Sequence, residues 1–151
     1  MKSERKCGSC RVCCVVMKIT ELNKPEFTSC DHLVKRQTTR SCGIYNDRPE
    51  ECRTFQCAWL TGLGTNNQRP DRCGVMLTGT ASYENEPPVP VIQGFRFRDS
   101  VSPHGSALWE QATDHGVVLE VKSDGSRKLH GSNRNVGTFL QWVRTQQEVA
   151  S

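Results

Sequence analysis

Apolar and polar positions follow a regular pattern mainly in the second half of the chain. Two stretches, Cys73 to Thr78 and Val89 to Arg98, are rich in apolar residues over the length of a short strand. The segments VVLEVK and SRKLH flank an Asp124-Gly125 pair, which is typical of a tight β-turn. The pattern therefore predicts two short strands joined through a proline-containing segment, and then a β-hairpin.

Two helices are predicted in the same half. The first begins at Ser102 and Pro103, because a serine cap followed by proline is a common helix start, and it runs to about Asp114 before Gly116. The second is capped near Asn135. Its apolar residues fall on one stripe, formed by Val136, Phe139, Leu140 and Val143.

The first half shows little periodicity. The segment VVMKITEL predicts either a short strand or a helical turn, and NKPEFTS after it predicts a loop. The clearest helix begins at Pro49 and ends just before Gly62. On it Cys52 and Cys57 would lie roughly 140° apart around the axis. Either the helix loosens near Cys57, or these two cysteines serve different sites.

These elements predict an α+β fold with two regions. Residues 1–73 form a small cysteine-rich, metal-stabilised lobe with irregular loops and a short helix. Residues 74–151 form a region of short antiparallel strands and two helices. We expect the two regions to pack as one domain, because the chain has the length of a single ordinary domain.

Composition explains why metal is expected to stabilise the first region. Hydrophobic residues make up only 35% of the 151-residue chain, and the nine cysteines, all at or before position 73, are among them. Such a density indicates disulfides in a secreted chain and metal ligands in a reducing cytosol. We expect a cytoplasmic protein, because no apolar run approaches roughly 18 residues and the N-terminus lacks a secretory signal.

Charge bears on whether nucleic acid is a partner. The formal net charge is +4, and the surplus of Lys and Arg lies in residues 1–73. Eight thiolates holding two divalent ions, or two [4Fe-4S] clusters, would carry about −4 and cancel it. The basic character is therefore better explained by thiolate ligands than by nucleic acid.

The motif CGSCRVCC carries the candidate chemistry. Cys7, Cys10 and Cys13 follow at intervals of three, a spacing with which ferredoxin-type chains bind [4Fe-4S] clusters, although C-x-x-C pairs equally suit tetrahedral zinc. Adjacent Cys13 and Cys14 point in different directions in most backbone conformations. We therefore expect two neighbouring four-thiolate sites, with Cys7, Cys10 and Cys13 in the first and Cys14 in the second. The sequence leaves the remaining five cysteines unassigned.

This motif, together with the later segment CGIYNDRPEECRTFQC, resembles a known family. The two segments look like the CxxCxxCC family, the YkgJ-type cysteine-cluster proteins described as zinc- or iron-chelating domains. The resemblance covers roughly residues 7–60 and implies metal chelation more firmly than any reaction. Some relatives are connected with flagellin lysine methylation, but this sequence has no recognisable S-adenosylmethionine motif. The cysteines that match the family, and that the resemblance implies as ligands, are Cys7, Cys10, Cys13, Cys14, Cys30, Cys42, Cys52 and Cys57.

Four other residues of the matching segment have roles that suit such a site. Arg48 and Arg53 are expected to donate to carbonyls and to offset thiolate charge. Tyr45 and Phe55 are expected to shield sulfur from water, or to form the hydrophobic core of the region together with Trp59, and the two roles are compatible.

Candidates outside the family pattern are expected to play no chemical part. Cys73 is predicted not to bind metal, and His32 is expected to be exposed or to cap an element. The sequence contains no Ser-His-Asp order, P-loop or GxGxxG motif. The residues interpreted as scattered, without a shared function, are His104, His115, His130, Asp99, Glu110, Asp114 and Glu120.

Three functions remain open from the sequence. The first is a metal-binding protein without catalysis of its own, which chelates zinc or iron through eight cysteines. The iron would be bound either as single ions or as Fe–S clusters. The second is an Fe–S redox protein or an accessory subunit of a modification enzyme. The third, a zinc module that binds nucleic acid, is the weakest because the basic and aromatic residues form no recognisable RNA-binding motif.

Overall fold

The structure is a computed structural model that describes residues 4–7, 10–33, 42–79, 85–98 and 100–150. Within these residues it contains five α-helices and a four-stranded sheet, which confirms the predicted α+β class. The α-helices are α1 (Val12–Val16), α2 (Glu50–Thr54), α3 (Pro70–Cys73), α4 (Pro103–His115) and α5 (Asn133–Ala150). The strands are β1 (Val75–Gly79), β2 (Val91–Arg96), β3 (Val117–Val121) and β4 (Arg127–His130).

The sheet has the strand order β1-β2-β3-β4 and is mixed. β1 pairs antiparallel with β2, and β3 with β4, but β2 and β3 are parallel, with Ile92 opposite Val118. The expectation of purely antiparallel strands is therefore wrong. The cause is α4, because a helical crossover returns the chain to the same end of the sheet and the next strand then runs parallel to the one before.

The hairpin between β3 and β4 turns at the predicted position. Asp124 Oδ1 accepts a hydrogen bond from the backbone N–H of Ser126 at 2.8 Å. Gly125 has a φ of 86°, a left-handed conformation that glycine adopts without strain. The local signal of an Asp-Gly pair between two apolar runs was therefore sufficient here.

The long helices begin at serine caps. Ser102 Oγ accepts from the backbone N–H of Gly105 at 3.1 Å, as predicted for the start of α4. In α5 the cap is Ser132, whose Oγ accepts from the N–H of Asn135 at 3.1 Å. The predicted cap at Asn135 is thus three residues too late, since the serine closer to β4 already satisfies that amide.

The buried side of α5 differs from the predicted stripe at one position. Phe139 is buried and stacks on Trp142, whereas Leu140 is 40% exposed. Successive helical residues lie about 100° apart, so Leu140 turns outward once Phe139 faces the protein.

No helix in the described part of the chain is both long and apolar enough to cross a membrane.

The helix α2 is the largest departure from the predicted elements. It was expected to run from Pro49 to just before position 62, but it ends at Thr54. Beyond it the backbone N–H of Ala58 donates to the carbonyl of Leu77 in β1 at 2.8 Å. The chain therefore follows the edge of the sheet, and the long-range hydrogen bond outweighs the local helix signal. The segment VVMKITEL, by contrast, adopts the helical alternative, in α1 and in a 3₁₀ turn at Thr20–Leu22.

The sheet is covered on both faces. On one face, α4 packs Leu108 and Trp109 against Val75, Leu77 and Val118. On the other face lies the cysteine-rich region, and the two together form a hydrophobic cluster that we call the shared core. Its buried members are Val12, Val16, Cys57, Trp59, Met76, Phe95 and Val121. Because this cluster takes residues from both predicted regions, the described part of the cysteine-rich region shares its core with the sheet.

Candidate metal centre

The cysteine motif begins with a backbone turn and continues into α1. The N–H of Cys10 donates to the carbonyl of Cys7 at 2.9 Å and closes the C-x-x-C turn. Cys13 and Cys14 then occupy consecutive positions of α1, about 100° apart around its axis. Their Cα–Cβ bonds therefore leave the helix in different directions, but the two sulfur atoms meet within hydrogen-bond reach, so the prediction that the side chains point apart does not hold for the free thiols.

The hydrogen bond between Cys13 and Cys14 separates their acidities. The thiol of Cys13 donates to the sulfur of Cys14, which lowers the pKa of Cys14 to about 7 against the effect of burial. The same bond, followed by burial, raises the pKa of Cys13 well above its ordinary value. Cys14 is therefore the more readily ionised of the two thiols.

Three of the eight cysteines that match the family lie against the shared core. Cys57 is one of its buried members, and Cys10 and Cys13 are partly buried beside it. Burial raises the pKa of Cys57 and raises that of Cys10 to about 11. As free thiols these groups are protonated at neutral pH, so a metal ion would have to displace their protons.

Backbone amides are directed at two of these sulfur atoms. The donors are Val12 and Asp71 for Cys10, and Trp59 and Leu60 for Cys57. Such hydrogen bonds lower the pKa of a thiol, opposing burial, and they stabilise the thiolate form that binds metal. The surroundings of Cys10 and Cys57 therefore suit thiolate ligands.

Arg5 connects the start of the motif to the turn after Cys57. Its guanidinium lies 4.9 Å from the centre of the Trp59 ring. Cys7 is itself exposed, and its pKa is raised by partial desolvation of its sulfur and then by like charge on Cys57 and on Cys14. Arg5 donates to three carbonyls of that turn, which are those of Trp59 and Leu63, both at 2.9 Å, and Gly64 at 2.6 Å.

A second group of cysteines is brought together by backbone pairing. The N–H of Cys30 donates to the carbonyl of Cys14 at 2.9 Å. Leu33, three residues after Cys30, forms an isolated antiparallel bridge with Cys42. The chain thus places Cys14, Cys30 and Cys42 in succession, although they are far apart in sequence.

Cys52 joins this second group through α2. The Glu51 carboxylate accepts from the backbone N–H of Glu21 at 3.0 Å and from that of Thr20 at 3.3 Å, which holds α2 against the segment after α1. Burial raises the pKa of Cys52, and three neighbouring thiols raise it further. In order of effect they are Cys14, Cys30 and Cys42.

Lys24 is a buried cation beside the cysteines, and the sequence analysis missed it. Only 6% of the residue is exposed, and its ammonium donates to the backbone carbonyls of Val15, Met17 and Pro25. Burial lowers the pKa of Lys24, while the nearby thiols of Cys30, Cys14, Cys13 and Cys52 act in the opposite direction. The charge lies where it can compensate thiolates, but one lysine in a polar loop gives no sequence signal of burial.

The chemical type of the donors suits a soft metal ion, but the present arrangement of the side chains does not. All nine cysteines are free thiols. Thiolates select zinc, copper(I) or iron–sulfur clusters over hard ions. Within the described ranges, however, no group of three or more His, Cys, Asp or Glu side chains is arranged to hold a metal ion. Metal binding would therefore require the thiols to lose protons and their side chains to rotate towards one another.

Cys73 lies apart from the other eight cysteines. It is fully buried in the cluster under α4, and its Sγ is 3.4 Å from the carbonyl oxygens of Gln68 and Val75. The structure thus places Cys73 in a different core from the candidate ligands.

His32 is half-buried, and its carbonyl accepts from the N–H of Gly43 at 2.6 Å.

The interpretation of Glu120 as a surface carboxylate is wrong. Its side chain is 5% exposed and accepts from Arg96 at 2.8 and 2.9 Å and contacts His130 Nε2 at 2.8 Å. The sequence pattern concealed this because Glu120 is the one polar residue that β3 directs towards α4. There Trp109 covers the group, with Arg96 4.4 Å above its ring and His130 edge-on at 5.3 Å.

The remaining scattered residues are largely as expected. Glu110, Asp114, His104 and His115 are exposed on α4, and Asp99 lies outside the described residues.

Of the two aromatic residues of the matching segment, only Phe55 takes one of the roles left open for them. Arg48 stacks 4.0 Å from the Tyr45 ring and donates to the Tyr45 carbonyl at 3.0 Å, and Tyr45 is itself exposed. Phe55, in contrast, packs beside the shared core. Donation to a carbonyl is therefore confirmed for Arg48, while Phe55 contributes to the core.

Comparison with protein-family models, with curated proteins and with solved structures finds no match for this chain. The resemblance to the CxxCxxCC family therefore stays a prediction from the residues themselves.

Proposed function

We propose that this protein chelates zinc or iron through eight cysteines. The observation that carries the proposal is that cysteines distant in the sequence lie beside α1, because Cys30 is hydrogen-bonded to the backbone of Cys14 and Cys57 packs in the cluster that contains Val12 and Val16. Thiol-only donor sets are typical of zinc and iron–sulfur sites and unsuited to magnesium or calcium. The eight cysteines are the same ones that the family resemblance implies.

The charge balance also supports bound metal. Eight thiolates without an ion would repel one another, and burial would oppose their ionisation. Two divalent ions reduce that charge to about −4, which the formal +4 of the remaining chain offsets. The buried Lys24 places one of those positive charges beside the thiols. We propose a reducing compartment, the cytoplasm, as the setting, because free thiols persist there.

Elemental analysis of protein purified without oxygen tests the proposal. We expect about two zinc ions per chain, or about eight iron atoms if two [4Fe-4S] clusters are bound. Replacement of Cys52 by serine should lower the metal content, whereas Cys73→Ser should not, because Cys73 lies in the other core. Well-ordered protein that contains neither zinc nor iron would refute metal chelation.

The alternative of an Fe–S redox protein rests on the C-x-x-C-x-x-C spacing. Brown colour and an EPR signal after reduction would favour it over zinc chelation. When bound, an iron–sulfur cluster supplies electron transfer, and a zinc ion supplies a fixed cross-link between chain segments.

A further inference from the structure

We propose that the eight cysteines divide into an inner site, formed by Cys7, Cys10, Cys13 and Cys57, and an outer site, formed by Cys14, Cys30, Cys42 and Cys52. The inner ion is a structural part of the core, and the outer ion exchanges with the surroundings. This division rests on the proposed function, metal chelation, and it assigns the cysteines that the sequence left unassigned.

Packing defines the inner site. Cys57, Cys10 and Cys13 all contact the shared core, which continues into Met76 and Phe95 of the sheet. Cys7 joins them because the C-x-x-C turn ties it to Cys10 and because Arg5 fastens its segment to the turn after Cys57. Loss of this site would therefore disturb the face of the sheet.

Backbone pairing defines the outer site. The Cys30–Cys14 hydrogen bond connects two of its members directly, and the bridge from Cys42 to Leu33 attaches Cys42 to the turn that begins at Cys30. The Glu51 contacts bring α2, and with it Cys52, to the same place. None of the four cysteines of the outer site belongs to the shared core within the described residues.

The division falls between two adjacent residues of α1. Val12 and Val16 are buried, and Cys13 lies on their side of the helix against the shared core. Cys14 lies about 100° further around the axis, and its carbonyl accepts a hydrogen bond from the backbone N–H of Cys30. A single short helix thus supplies one ligand to each site.

Lys24 and contact with the core distinguish the two sites. Four thiolates and a divalent ion carry about −2, and the buried ammonium of Lys24 acts most strongly on Cys30 and Cys14 and less on the inner Cys13. Exposure alone does not separate the sites, because Cys7 of the inner site is exposed and only one of its four cysteines is buried. The difference lies in packing, since three inner cysteines contact the shared core and, in the part of the chain that the structure describes, the outer cysteines do not. Release of the inner ion would therefore disturb the core, and we expect a chelator to remove the outer ion first.

Paired serine substitutions test the division. The variants are Cys42→Ser alone, C14S/C42S and C13S/C42S, each purified without oxygen. The measurements are metal per chain and the rate of metal transfer to a coloured chelator. Wild type should hold two ions, or two clusters, released in a fast and a slow phase. C42S and C14S/C42S should each keep the slow one, and C13S/C42S should keep neither.

The outcomes separate failure of the division from failure of the function. Wild type without zinc or iron refutes chelation itself. A wild type with two ions whose C14S/C42S variant holds less metal than C42S overturns the division, because the two cysteines would then serve different ions. Since the outer cysteines lie outside the shared core, C14S/C42S should also keep a cooperative melting transition, and its loss would equally overturn the assignment of Cys14.

Discussion

Lys24 illustrates how one side chain can set the charge of a cysteine cluster. Its ammonium is held by three backbone carbonyls between α1 and the following loop, so the charge is fixed in position as well as buried. A buried cation is unfavourable unless anions or carbonyl oxygens compensate it. In the proposed outer site, thiolates would supply such anions, and Lys24 would in turn reduce the repulsion among them.

Replacement of Lys24 by methionine should weaken both the fold and the outer site. The change leaves three carbonyls without their donor, which costs about 1–3 kcal/mol of unfolding free energy. It should also speed release of the outer ion to a chelator. Urea unfolding and chelator kinetics would measure the two effects. Lys18→Met is the matched control, because Lys18 is exposed, and equal effects of both changes would contradict the role of Lys24.

Glu120 makes a prediction about acid stability. The hydrogen bonds from Arg96, and secondarily from His130, lower the pKa of Glu120 below its ordinary 4.5. A carboxylate with a lowered pKa in the folded state contributes stability that is complete above the ordinary value and is lost as the pH falls through the folded value. Glu120→Gln should therefore be less stable than wild type at pH 7 by about 1–3 kcal/mol.

The difference between wild type and Glu120→Gln should narrow below pH 4.5, and urea unfolding at a series of pH values would measure it. Acid release of metal affects both proteins and leaves the difference unchanged. Glu110→Gln, on the exposed side of α4, should match wild type throughout. A difference that is constant with pH would show that the charge of Glu120 does not stabilise the fold.

At the scale of elements, the cysteine-rich region is built from very short helices joined by side-chain hydrogen bonds. α1 and α2 have five residues each, too few to be stable alone. The Glu51 contacts hold α2, and Arg5 holds the N-terminal segment to the turn at Trp59. These contacts determine which cysteines become neighbours.

Arg5→Gln should therefore loosen the inner site without touching a ligand. Residues that orient metal ligands typically change metal affinity by about 10–100-fold when mutated. We expect the inner ion, which is released in the slow phase, to leave faster, and the release rate of the outer ion to stay unchanged. The neighbouring Lys6 is exposed, so Lys6→Gln is the control. If Arg5→Gln accelerates only the fast phase, Arg5 orients the ligands of the outer site and not those of the inner site.

At the scale of the whole molecule, stability of the sheet depends on the cysteine-rich region. Met76, Phe95 and Val121 are buried on the face that this region covers. Structural zinc contributes about 10–16 kcal/mol in zinc-finger peptides, which equals the whole stability of many domains. The metal and the core should therefore act as one cooperative unit.

Removal of metal under reducing conditions should unfold more than the cysteine loops. We expect a lower melting temperature, and increased binding of a hydrophobic dye as Phe95 and its neighbours become exposed. The β3–β4 hairpin and α5 should retain part of their circular dichroism. Restoring zinc should reverse the change, and a melting temperature that does not respond to metal would contradict the dependence.

The sequence by itself determined the elements whose signals are local. The Asp124-Gly125 turn, the Ser102 cap and the two strands of the second half follow from apolar periodicity and turn residues, and each lies close to its predicted position. The cysteines proposed as ligands were equally visible, because sulfur chemistry belongs to the residue and not to its surroundings.

Only the tertiary structure decided what meets what. The parallel pairing of β2 and β3, the early end of α2 and the burial of Lys24 and Glu120 all depend on partners distant in the chain. The grouping of Cys14 with Cys30 has the same origin, since the hydrogen bond between them spans a loop that no local pattern encodes. Local sequence fixes backbone preference over a few residues, whereas burial and pairing are settled when separate segments compete for the same face of the sheet.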